Sequence, residues 1–210
     1  MTDEQKKARL DWANENLKRN WTKIMFSDET TWRLFYIRRR IWKRRGQIKV
    51  VRTVKHDPKV NVWGYFSASG FGELAKIKGH LDAKKMMEIY EKGLFASADK
   101  LFGPDTRNWQ FLEDRNLKHT SKLAKAWKAQ HKVKVMEWPT QSPDCNPIEN
   151  VWSVLKKKVA KFKITTTKQL FNEIKREWCK LSTEYAENLA ESCFKRCQEV
   201  IDNNGDWTSH

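Results

Sequence analysis

The chain has 210 residues, enough for one sizeable core or at most two small ones. Hydrophobic residues make up 39% and there are 11 tryptophans, a globular composition that argues against disorder over the whole length. The formal net charge is +16, which favours a polyanionic partner, and no run of about 18 apolar residues exists to span a bilayer.

The opening "MTDEQKKARLDW" is polar and does not read as a secretory signal. Residues 2–20 read as a polar helix, with Leu10, Ala13 and Leu17 at helical spacing. Residues 23–35, "KIMFSDETTWRLF", read as a strand. Residues 38–47 read as a basic strand or hairpin arm, and residues 60–70, "VNVWGYFSASG", as a buried strand ending in a glycine turn. A helix is expected over 81–102, with Gly93 its weak point, and a short strand over 108–116. Then come a helix over 120–132 with Thr120 as N-cap, a strand over 133–138, a helix from Pro147 to about Lys161, and one or two helices from about Thr167 to Val200.

Three neighbouring strands suggest an antiparallel meander, and the later strand–helix alternation suggests parallel crossovers. The expectation is an α/β fold: a mixed sheet of five strands with helices on both faces. No repeat, linker or domain boundary interrupts residues 1–210, so the chain reads as a single domain. Cys145, Cys179, Cys193 and Cys197 form no CxxC pair and read as reduced thiols.

Three acids stand out. Asp28 lies on "IMFSDET", where a period of two places it on one face with Ile24 and Phe26. It is either a solvated strand-end residue or a carboxylate held by a partner or cation. Asp114 ends "WQFLED" on the face of Leu112, while Glu113 points the other way with Phe111. Sites in open sheets sit beyond the carboxyl ends of strands, which favours a functional Asp114. Glu149 follows Asn146, Pro147 and Ile148, the pattern of a capping box. It also borders the apolar stripe Ile148, Val151, Trp152, Leu155 and Val159, from where it can reach a site at the sheet edge. Together the three can supply oxygen ligands for Mg²⁺ or Mn²⁺, and two such ions suit phosphodiester chemistry.

The segments "FSDET", "VWGYFS", "FLEDRNLKHTS" and "VKVMEWPTQSPDCNPIENVWSVLKKKV" resemble the Tc/mariner superfamily of cut-and-paste DNA transposases, in its Tc-like branch. The resemblance runs from about residue 5 to about residue 200. Thirty-four residues separate Asp114 from Glu149, the spacing of that branch. It implies a ribonuclease H-like fold with Asp28, Asp114 and Glu149 as the catalytic, metal-holding triad. It also implies two Mg²⁺ ions, with Mn²⁺ a substitute, double-stranded DNA as partner, a homodimer, excision at terminal inverted repeats, and attack of the freed 3′-hydroxyl on a TA target. Family members carry helix-turn-helix domains ahead of this region, and none precedes Met1 here. Residues 1–210 therefore read as the catalytic domain alone. The sequence departs from the family pattern at Arg115 (commonly Asn), Leu117 (commonly Pro) and Cys145 (commonly Leu). Arg115 puts a cation beside Asp114, and Leu117 loosens a turn that proline would stiffen. A DNA-binding relative with weakened catalysis and a purely hydrolytic nuclease remain the alternative readings.

Arg38, Arg39, Arg40, Lys43, Arg44 and Arg45 surround Ile41 and Trp42. They read as a phosphate-contacting arm, as a nuclear-import signal implying a nuclear protein, or as a solvated strand edge. Arg115, His119 and Lys156 are further candidates for DNA contact; His119 reads equally well as a helix-start histidine with a structural hydrogen bond. The tryptophans read mostly as core, with one or two left to stack on bases.

Overall fold

The computed structural model describes residues 1–34, 58–79, 81–103 and 108–210. The basic stretch 38–47 expected as a strand or arm lies outside the described residues. Five strands form one mixed sheet: β1 (Ile24–Arg33), β2 (Lys59–Ser67), β3 (Gly70–Phe71), β4 (Ala75–Ile77) and β5 (Gln110–Leu112). Their order is β3-β2-β1-β5, with β4 also paired to β2. The central β1 runs antiparallel to β2 and parallel to β5, with Phe26 opposite Leu112. The Ser27 hydroxyl donates to the Leu112 carbonyl at 2.9 Å, a further tie between the two strands.

Strand alternation sorts the side chains into two cores. Ile24, Phe26, Val60, Val62, Phe66 and Leu112 face one core; Met25, Trp63, Tyr65 and Phe111 face the other. Each fully buried large side chain is worth roughly 1.5–3 kcal/mol of transfer free energy, so this pattern fixes the register firmly. The first core is covered by α1 (Asp3–Asn16), α5 (Ile148–Val159), α6 (Thr167–Trp178) and α7 (Thr183–Asp202). The second is covered by α2 (Ala83–Phe102) and α4 (Lys122–Gln130), with the single turn α3 (Leu117–Thr120) beside them. Helices thus lie on both faces, as expected.

Several boundaries differ from the sequence reading. Helix α1 stops at Asn16, and its buried stripe is Arg9, Trp12, Ala13 and Asn16 rather than Leu10, Ala13 and Leu17. Arg9 and Asn16 are polar, so the stripe was invisible to a hydrophobic count. The expected helix over 120–132 is two pieces. Asn116 caps α3, and Ser121, not Thr120, caps α4 by accepting from the Ala124 amide. The expected strand at 133–138 reduces to one parallel bridge, Phe111 with Val135. Its partner β5 has only three residues, and the Glu137 carbonyl is taken by the Trp12 indole at 3.0 Å. A single break over residues 179–182 separates α6 from α7.

Two buried guanidinium groups tie the helical face together. Arg9 on α1 donates to both carboxylate oxygens of Asp144 at 2.8 and 2.6 Å and to the carbonyls of Gly205 and Asp206. Gly205 sits at φ +85°, and a Cβ there would lie 2.0 Å from the Lys6 carbonyl oxygen, so only glycine lets α1 approach. Arg196 on α7 donates to the Asp144 carbonyl at 2.6 Å and to the Asn150 side chain at 2.9 Å, which fixes the start of α5. All four cysteines are free thiols, three of them buried. Among the described residues no helix is long and apolar enough to cross a membrane.

Candidate active site

Asp28 and Glu29 are neighbours on β1 and therefore point to opposite faces. Asp28 lies opposite Gly64 in the β1–β2 ladder and faces α5; Glu29 lies opposite Trp63 and faces α2 and α3. Asp114 stands two residues beyond Leu112, as Asp28 stands two beyond Phe26. Asp28 thus lies within β1, two residues past the end of its pairing with β5, and Asp114 lies two residues beyond β5 itself; adjacent strands run about 4.8 Å apart.

Helix α5 brings the third acid. The capping-box reading of Glu149 does not hold: the cap position is Pro147, and no side chain caps the helix. The Asn146 side chain reaches only the Ile148 amide, at 3.4 Å. The Glu149 carboxyl instead lies within hydrogen-bonding reach of the Asp28 carboxyl. The indole N–H of Trp152 donates to Asp28 Oδ2 at 3.2 Å. Burial first, then the like charges of Glu149 and Glu29, push the Asp28 carboxyl up to about 8. Burial also raises Glu149, against the opposing pull of Lys156. Two adjacent carboxyls, both raised by burial, are an oxygen donor set that suits a hard divalent cation. The residues present fit such an ion.

Asp114 is oriented differently. Its side chain is half exposed, accepts from the Asn116 amide at 3.0 Å and lies 3.4 Å from His119 Nε2. Among the described residues, no three His, Cys, Asp or Glu side chains already form a metal-holding cluster. Asp114 is therefore not gathered with Asp28 and Glu149 into one cluster.

Beneath the strand ends lies a buried ionic clasp that the sequence reading missed. His119 is 1% exposed and is not placed to touch DNA. Its Nε2 is 3.2 Å from Glu29, and its Nδ1 is 3.3 Å from Glu113 and 3.0 Å from the Tyr90 hydroxyl. Lys118 pairs with Glu29 at 2.9 Å, and buried Lys128 pairs with Glu113. Burial alone would lower the His119 pKa, but Glu113 and Glu29 override it and hold the ring at about 9, charged at neutral pH. Burial would likewise raise Glu29 and Glu113, yet both are held below the usual range, Glu29 by His119 and Lys118 and Glu113 by His119 and Lys128. The clasp ties the middle of β1 and the end of β5 to the second core. The signal was present: Glu29 and Glu113 each sit on the core-facing side of an apolar strand, where an acid needs a partner. Lys128→Met leaves Glu113 with Tyr90 and His119 only, and lowers stability by about 1–3 kcal/mol in urea unfolding.

Among the remaining candidates, Arg115 is largely exposed and 4.0 Å from Glu137. Lys156 is exposed on the Glu149 side of α5. Leu117, where the family has proline, is 82% exposed. Arg38, Arg39, Arg40, Lys43, Arg44 and Arg45 lie outside the described residues.

Residues 23–171 match the family model of the DDE superfamily endonucleases. The chain is 34% identical over 210 residues to the transposase of the transposable element Tcb1 of Caenorhabditis briggsae, covering 95% of this chain and 76% of that protein. It is 32% identical over 208 residues to the Tc1 transposase of Caenorhabditis elegans, covering 94% and 75%. In shape it is similar to the Mos1 mariner paired-end complex solved with Mn, with a TM-score of 0.87 at 14% identity, covering all of this chain and 65% of that one. It is also similar to the Mos1 catalytic domain solved with raltegravir and Mn, with a TM-score of 0.80 at 13% identity, covering 98% of that chain. At such identities the solved structures speak for the fold alone, which is ribonuclease H-like. The chain belongs to the DDE superfamily endonucleases, as a transposase catalytic domain of the Tc1/mariner type.

Proposed function

We propose that this domain cuts the ends of a DNA element and joins the freed 3′-hydroxyl to target DNA, with Asp28, Asp114 and Glu149 as its metal-holding residues. One observation carries the reading: two acids remote in sequence, Asp28 on β1 and Glu149 on α5, lie within hydrogen-bonding reach of each other just past the end of the β1–β5 pairing, with Asp114 two residues beyond β5. A pair of Mg²⁺ or Mn²⁺ ions, when bound, supplies activation of the attacking oxygen and stabilisation of the leaving one. The chain's own part is to hold oxygen ligands on rigid elements and to keep cations near the phosphates. Asp28 is fixed by β1 and by the Trp152 indole, and Glu149 is delivered by the start of α5. Asp114 lies just beyond β5 with its side chain half exposed, held by the Asn116 amide and beside His119. Lys156 and Arg115 are exposed and placed to meet phosphate. The relatives named as transposases and the net charge of +16 support double-stranded DNA as the partner. Work on chromosomal DNA implies a nuclear protein, and joining two element ends implies a homodimer.

The test offers a labelled duplex with a pre-cleaved 3′-hydroxyl end together with supercoiled plasmid, in Mg²⁺ or Mn²⁺. Joined product is expected with either ion and none with EDTA. Nicking without joining points to the hydrolytic nuclease. No product with either ion, with duplex still bound, points to a DNA-binding relative that has lost catalysis.

A further inference from the structure

We propose that Trp152 is a positioning residue of the catalytic site, whose indole N–H orients the Asp28 carboxyl, and that Gly64 is required to make room for its ring. This rests on the reading of Asp28 as a metal-holding residue. Trp152 is 1% exposed and stands three residues after Glu149 on α5, so both project toward Asp28 on β1. One helix therefore delivers two contacts to Asp28: the Glu149 carboxyl and the Trp152 N–H at 3.2 Å. The ring is held in turn. It stacks on Trp178 of α6 with centroids 5.3 Å apart and planes at 28°, and the Trp178 N–H donates to the Gly72 carbonyl at 2.8 Å. Gly64, directly opposite Asp28, lies under both rings. A Cβ at that position would come within 2.7 Å of the Trp152 ring and 2.8 Å of the Trp178 ring. Contacts that short force a ring to move, and the Trp152 N–H moves with it.

Simple packing does not need that N–H, which gives the test. Trp152 is replaced by its benzothienyl isostere, which keeps the shape and removes the donor. Mn²⁺ binding without DNA is followed by the electron paramagnetic resonance signal of free Mn²⁺, beside joining activity. The expected result is Mn²⁺ affinity weakened by about 10-fold, in the range for partners that orient ligands. The metal concentration for half-maximal joining rises by the same factor. Half-saturation by DNA and the melting temperature stay as in the parent. Gly64→Ala should show the same Mn²⁺ shift with a lower melting temperature. Gly64→Ala combined with Trp152→Phe should recover melting temperature but not Mn²⁺ affinity. Unchanged Mn²⁺ affinity in the isostere overturns the proposal, as does a Gly64→Ala protein that melts lower yet binds Mn²⁺ normally. Asp28→Asn, measured in parallel, separates the two levels. If it still joins DNA, the reading of the site itself fails; if it is inactive while the isostere behaves as the parent, only the role of Trp152 fails.

Discussion

Glu149→Gln lowers strand joining by at least about 100-fold, more than loss of a supporting partner usually costs, while the melting temperature moves by no more than a few degrees. Glutamine keeps the size of the side chain but loses the charge that an ion requires. Nothing in the start of α5 depends on that charge, because no side chain caps this helix. The backbone amide of Glu149 bonds to the Asn146 carbonyl at 3.2 Å, and the substitution leaves that bond alone. Removing one of two like charges beside a buried aspartate also relieves repulsion, so stability has no reason to fall. A gel assay of joined product and a thermal melt on one preparation check both halves. A large drop in melting temperature with joining retained would return Glu149 to a purely structural role.

Asp144→Ala has the largest expected effect on stability. The side chain of Arg9 is fully buried, and its fork meets both Asp144 oxygens. Removing the carboxylate strands a guanidinium in the interior, a loss of about 3–5 kcal/mol. For a domain of this size that lowers the melting temperature by roughly 6–20 °C. The pH dependence has a definite sign. Asp144 is held below the usual carboxylate range by its bond to Arg9, against the opposing effect of burial. Its contribution is therefore complete above its unfolded pKa of about 4. That contribution disappears as pH falls through the lower folded value. Urea unfolding from pH 7 to pH 2 should show the parent losing its advantage over Asp144→Ala in the acid part of that range. The damage falls near the site, because the Asp144 backbone and Asn150 are held by Arg196 just where α5 begins.

The face of Asp28 was legible because strand alternation is a strict rule and β1 obeys it through Ile24 and Phe26. The rule stops with β5 at Leu112: the Glu113 and Asp114 carboxylates both lie beside His119, at 3.3 and 3.4 Å. Glu149 was legible as a borderline residue, but local capping rules misplaced its partner. A capping box is a contact within four residues, whereas Asp28 is brought in by the whole fold. The stripe of α1 was illegible for a related reason. Arg9 and Asn16 read as surface residues, and the groups that satisfy Arg9 lie at Asp144, Gly205 and Asp206. His119 was read equally as a site neighbour and as a helix-start histidine with a structural hydrogen bond, and its buried bond to Tyr90 bears out the second. Its partners Glu29, Glu113 and Tyr90 come from three separate elements, and no single local pattern joins them.

The bridge from Arg9 to residues 205 and 206 has a consequence for how the molecule is made. The last two carbonyl partners of Arg9 are synthesised 196 and 197 residues after it. At roughly 5–20 residues per second, that is a wait of about 10–40 s. Through that interval the first helix has no closed pocket for its cation and cannot dock in its final place. The central strand likewise waits for its parallel neighbour more than 80 residues downstream. Folding is therefore a closing step that follows translation of α7, and a nascent chain stalled before Gly205 would be the form most open to proteases and chaperones.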